Sequence, residues 1–157
     1  MKTTITKRFN FCYGHHLDGY VGKCCMNHGH NAVLDVTVTG ELKNSMDELY
    51  DKMGVFRGMV MDFKDLKKIV KSNVIDVLDH TTLNESLSTL NICVDSVLEK
   101  EITKLKQISQ KSPTCEVTAQ LIFYCVRSFI NPIYCGNVRL DKIRLTETND
   151  SWAEVSK

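Results

Sequence analysis

The sequence predicts an α+β protein in which an antiparallel sheet carries its helices on one face. Two observations predict it. Alternating β-branched and aromatic runs stand near both ends of the chain, at 3–13 and 31–43 and again at 138–148 and 151–156. Apolar residues at three- and four-residue spacing fill the middle. The resulting order is strand, strand, helices, strand, strand.

The first run, TTITKRFNFCY, puts Ile5, Phe9, Phe11 and Tyr13 on one parity, with Lys7 as the polar exception. His15 continues that parity and His16 points the other way. Residues 17–27 contain Asp18, Gly19 and Gly22 and read as a loop. Residues 31–43 form the second strand, expected antiparallel to the first. Residues 44–58 are charged and contain two glycines, so they read as a long connection with a helical turn at MDELYDKM. Met59–Met61 is expected as a short strand. Asp62 caps a helix in which Phe63, Leu66, Ile69, Val70, Val74 and Val77 recur with helical period. Its basic face, with Lys64, Lys67, Lys68 and Lys71, reads as solvated. A second amphipathic helix covers 92–108. Thr114 caps a third, at 115–131, which Pro132 is expected to stop. Two strands joined by Asn149-Asp150 close the chain.

The 157 residues suffice for one domain with a proper core, and no linker or repeat divides them, so 1–157 is read as a single domain. Lys and Arg number 20 against 19 Asp and Glu, a net charge of +1. That balance gives no field for nucleic acid or an anionic membrane, and neither is expected as a partner. No apolar run approaches the roughly 18 residues of a membrane span. Seven cysteines, an odd number without C-x-x-C spacing, suggest a reduced, cytoplasmic protein.

Chemistry concentrates in HHLDGYVGKCCMNHGH, residues 15–30, which holds four of the five histidines. In a strand, His28 and His30 project to the same face, with Cα atoms about 6–7 Å apart. That suits two ligands on one zinc ion, with a third from His15 or His16. Three histidines without a fourth protein ligand describe a catalytic zinc with one open position. Cys24, four residues before His28, is a thiol whose pKa a nearby metal can lower. Asp79 beside His80 can orient the imidazole for proton transfer near neutral pH. Glu147 reads equally as an inward-facing anchor and as a surface residue.

FNFCYGHH, Cys24 with His-Gly-His four residues on, MDF, LDH-x-x-LN, PT-x-E and LTET occur in the order found in the 6-pyruvoyltetrahydropterin synthase family. The sequence resembles that family, which includes the 6-carboxytetrahydropterin synthases, over residues 5–148. The resemblance implies the tunnelling fold: a four-stranded antiparallel sheet with helices outside, whose subunits close into β-barrels, typically as a hexamer with active sites at subunit interfaces. It implies zinc on His15, His28 and His30. It implies a catalytic group of Cys24, Asp79 and His80, with Thr114, Glu116 and Glu147 on the pterin ring. The reaction implied is lysis of 7,8-dihydroneopterin triphosphate to 6-carboxytetrahydropterin, on the route to queuosine. The alternatives are triphosphate elimination to the 6-pyruvoyl product and a zinc- and pterin-binding protein without chemistry.

Overall fold

The computed structural model describes residues 1–42, 58–134 and 137–156. Strands β1 (Lys2–His15) and β2 (His28–Glu41) are followed by α1 (Phe63–Val70), a π-helical turn (Lys71–Ile75) and the short α2 (Asp76–Leu78). Then come β3 (Thr81–Thr82), α3 (Leu83–Ser86), α4 (Ser96–Lys111), α5 (Cys115–Tyr134), β4 (Val138–Thr148) and β5 (Ser151–Ser156).

The fold is α+β, as expected, but among the described residues the sheet is five-stranded and mixed, in the order β3-β1-β2-β4-β5. The four long strands pair antiparallel. The two-residue β3 adds to the outer edge of β1 in parallel, at Tyr13 and Gly14. No strand forms at Met59–Met61; Val60 and Met61 are buried in the core without joining the sheet. The helical turn expected at MDELYDKM lies outside the described residues.

Strand period two sets the core. On β1, Phe11, Tyr13 and His15 are buried, and on β2 so are Ala32, Leu34 and Val36. The register puts Tyr13 opposite His30 and Phe11 opposite Ala32, so these side chains share one face. The helices cover that face through Leu66, Val70, Val74, Leu121, Ile122 and Val126, all with no solvent exposure. At about 25 cal/mol per Å² of apolar surface, burial of this kind is the main force holding sheet and helices together.

Local chemistry explains the helix boundaries. Asp62 accepts the Lys64 N–H at 2.8 Å and so caps α1. At the far end Ser72 Oγ and Asn73 Nδ2 donate to the carbonyls of Lys68 and Ile69. Those side chains compete with the i→i−4 ladder, at the place where the chain widens into the π-helical turn. Helix α4 starts at Ser96, later than the 92 read from periodicity, because Asp95 accepts from Val97 and Leu98 N–H. Pro132 does not stop α5, which continues to Tyr134. A proline in a last turn forfeits one hydrogen bond and leaves the earlier ladder intact.

Candidate metal centre and active site

His15 ends β1, and His28 and His30 open β2 directly beside it. The Nε2 atom of His15 lies 3.1 Å from that of His28 and 3.1 Å from that of His30. Backbone carbonyls orient two of the rings. Nδ1 of His15 faces the Pro113 carbonyl at 2.9 Å, and Nδ1 of His28 faces the Met26 carbonyl at 2.8 Å. A carbonyl only accepts, so each Nδ1 carries the proton and each Nε2 turns a lone pair inward. Burial pushes the His15 pKa down, which keeps that ring neutral. Converging lone pairs repel unless a cation lies between them. Four-coordinate zinc with bonds of about 2.0–2.1 Å sets its nitrogens roughly 3.3 Å apart, close to the spacing here. The donor set fits a metal ion, and His15, His28 and His30 can hold one.

His16 stays out of this group. Its ring pairs with Asp18, Nε2 to Oδ1 at 3.2 Å. Its backbone is clamped by Asn84, whose Oδ1 accepts from His16 N and whose Nδ2 donates to His16 O. That clamp holds the end of β1 in place.

Glu147 faces inward. Its Oε1 lies 3.6 Å from Nε2 of both His15 and His30, and it accepts the Tyr13 hydroxyl at 3.0 Å. Burial first, and Glu147 second, hold the Tyr13 hydroxyl far above its usual pKa, so it remains a donor. Thr114 caps α5, with Oγ1 accepting from Val117 N at 3.4 Å. Thr114 and Glu116 flank Cys115, whose thiol is pushed up to about 12 by burial and then by the Glu147 charge. The start of α5 therefore adjoins both Glu147 and, through the Pro113 carbonyl, His15.

Asp79 and His80 lie elsewhere, on the turn between α2 and β3. His80 Nδ1 is 2.9 Å from Asp79 Oδ1, and its side chain is 79% exposed. Asp79 Oδ1 also accepts the Cys12 N–H at 2.8 Å, which holds its carboxyl below the usual range. His80 has φ +60°, an uncommon left-handed conformation. Cys24 sits in a one-turn 3-10 helix, Lys23–Cys25, and is half-buried, whereas Cys25 is exposed. Within one chain the structure does not gather Cys24, Asp79 and His80 into one cluster. The thiol beside Asp79 and His80 is Cys12. Sequence reasoning missed Cys12, Tyr13 and Asn84; strand parity shared with His15 was the available signal for Tyr13.

A mixed sheet with one helical face, and three imidazoles that could hold a metal at the joint of its first two strands, define an α+β protein with a candidate metal site. The chain belongs to the 6-pyruvoyl tetrahydropterin synthase family, whose model matches residues 4–157. A 6-carboxy-5,6,7,8-tetrahydropterin synthase of Haemophilus influenzae is 32% identical over 153 residues, 98% of each chain. One from Rickettsia typhi is 33% identical over 151 residues, 96% of this chain and 97% of the other. The Caenorhabditis elegans 6-pyruvoyl tetrahydropterin synthase structure matches with TM-score 0.67 at 22% identity, covering 100% of this chain and 96% of that one. The protein is thus an enzyme, a lyase of the pterin synthase family. None of its described helices is long and apolar enough to cross a membrane.

Proposed function

We propose that this protein is a zinc-dependent, cytoplasmic lyase that converts 7,8-dihydroneopterin triphosphate and one water to 6-carboxy-5,6,7,8-tetrahydropterin, with loss of acetaldehyde and triphosphate, in 7-deazaguanine (queuosine) biosynthesis. The observation that carries the reading is the His15, His28, His30 cluster, on a chain whose nearly full-length relatives bear the carboxy name. Residues 1–157 act as one catalytic domain. His15, His28 and His30 hold the zinc, which when bound supplies Lewis-acid stabilisation of charge on the substrate's side-chain oxygens. Glu147 receives the pterin amino and ring N–H groups, with Thr114 and Glu116 beside it. The Tyr13 hydroxyl fixes the Glu147 rotamer.

Cys24, as thiolate, takes a proton from the substrate side chain. His80, oriented by Asp79, moves protons on the opposite side. One chain keeps these groups apart, and His80 faces solvent, so the catalytic group is completed where two subunits meet. The sheet supports assembly: among the described residues β5 has a neighbour on one side only, and β1 is covered outside only at Tyr13 and Gly14. Open edges of this kind favour pairing between subunits, here into a barrel and a homohexamer.

Incubation of the zinc-loaded protein with 7,8-dihydroneopterin triphosphate, followed by mass analysis, tests the proposal. The expected products are 6-carboxytetrahydropterin, acetaldehyde and triphosphate. Accumulation of the pyruvoyl compound without acetaldehyde assigns triphosphate elimination alone and overturns the carboxy reading.

A further inference from the structure

Besides the histidine cluster, the described residues contain a second convergence of metal-ligating side chains: Cys12, Asp79 and His80. The thiol, a carboxylate oxygen and a ring nitrogen all lie within 4.8 Å of one another. We propose that these three residues form a second, thiolate-containing site for a zinc-type divalent cation, and that filling it inhibits the enzyme. The inhibition clause rests on the catalytic role proposed for Asp79 and His80; the binding site does not.

The placement follows from the sheet. Even-numbered residues of β1 project to the face that the helices leave open, and the register puts Cys12 opposite Asn31 there. The Asn31 carboxamide oxygen accepts the Cys12 thiol proton at 3.1 Å. The chain then returns along the outer edge of β1. His80 N–H donates to the Cys12 carbonyl at 2.7 Å, and Cys12 N–H donates to Asp79 Oδ1 at 2.8 Å. Both backbone polar groups of Cys12 are thereby locked to residues 79 and 80, and the three donors are held together before any ion arrives.

Two shallow clefts, of about 410 and 390 Å³, meet at this cluster and share Cys12, Asn31 and His80. They leave room for water to complete the coordination. A positive φ at a histidine costs free energy and persists where surrounding contacts enforce it, commonly at functional positions. The donor set differs in kind from the first site. Three imidazoles suit several divalent metals, while a thiolate with imidazole and carboxylate selects softer, zinc-type ions. An ion here displaces the Cys12 thiol proton and removes His80 and Asp79 from proton transfer.

Cobalt(II) titration of the metal-free protein tests this. A cobalt–thiolate bond gives a near-ultraviolet charge-transfer band that nitrogen and oxygen ligands do not. The first equivalent should fill the histidine site without that band, and further cobalt should bring it out. Cys12→Ser should abolish the band, while Cys24→Ser and His28→Ala should keep it. His80→Asn, which tolerates the positive φ, should weaken the band-forming step at least about tenfold. Circular dichroism establishes that each variant is folded. Excess zinc should inhibit the parent and spare Cys12→Ser, whose basal turnover is unchanged. No band at saturating cobalt, or a band that survives Cys12→Ser, overturns the site. Band loss in Cys24→Ser assigns the thiolate there and overturns it as well. Loss of the histidine site in His28→Ala leaves the band in place, so the two readings fail separately.

Discussion

Tyr13→Phe isolates one interaction at the centre of the site. The Tyr13 ring is 3% exposed and packs at 5.5–5.6 Å centroid distance from His15, Phe11 and His30. Phenylalanine keeps that packing and deletes only the hydroxyl, which donates to Glu147 Oε1 at 3.0 Å. A hydrogen bond to a charged group contributes about 1.5–3 kcal/mol. Glu147 is 21% exposed, so water takes up part of the released carboxylate, and the lower end applies. The expected loss is about 1.5 kcal/mol; at roughly 2–4 °C per kcal/mol for a chain of this size, Tm falls by about 3–6 °C. The assay is thermal unfolding of metal-free parent, Tyr13→Phe, Glu147→Ala and the double variant, read as a double-mutant cycle. A coupling of about 1 kcal/mol or more is expected. If the two single effects add within about 0.5 kcal/mol, the hydroxyl does not hold the carboxylate and the positioning role falls. With substrate, Tyr13→Phe should raise KM about tenfold, the equivalent of 1.4 kcal/mol, with kcat nearly unchanged.

The histidine geometry predicts about one zinc per purified chain, lost on His28→Ala or His30→Ala and retained on His16→Ala; elemental analysis showing full zinc in both former variants refutes the site. Cys24→Ala should lower turnover about 10²–10⁴-fold while keeping zinc, and Cys25→Ala should stay within a few-fold of the parent. Steady-state rates with zinc measured on the same samples decide this, and a dead Cys25→Ala beside an active Cys24→Ala shifts the loop register by one. Light scattering should report an assembly, hexameric by expectation; a mass of 17.9 kDa at working concentration removes the interface model.

Much of this protein was determined by sequence alone. Strand parity is a local property, set by the alternation of Cβ directions, so Phe11, Tyr13 and His15 could be placed on one face from their spacing. The same rule put His28 and His30 side by side. The helical period of Leu66, Ile69, Val70, Val74 and Val77 and the caps at Asp62 and Thr114 were legible for the same reason. Elements whose outcome depends on distant partners were not. The β3 edge exists because residues 79–82 fold back onto β1, a pairing across nearly seventy residues that no local pattern encodes. The π-helical turn depends on which backbone carbonyls Ser72 and Asn73 reach, and the late start of α4 on which acid caps it.

At the site, spacing left His15 and His16 open as the third ligand. The tertiary structure groups His15 with His28 and pairs His16 with Asp18. Glu147 was ambiguous on its strand until the β2–β4 register brought it against the histidines and Tyr13. Cys12 carried no sequence signal at all, because its proximity to Asp79 and His80 arises only when the edge strand docks. Sequence sets which way a side chain points along its own element. Which other side chains it then meets is decided by long-range register and packing, and those are properties of the folded chain.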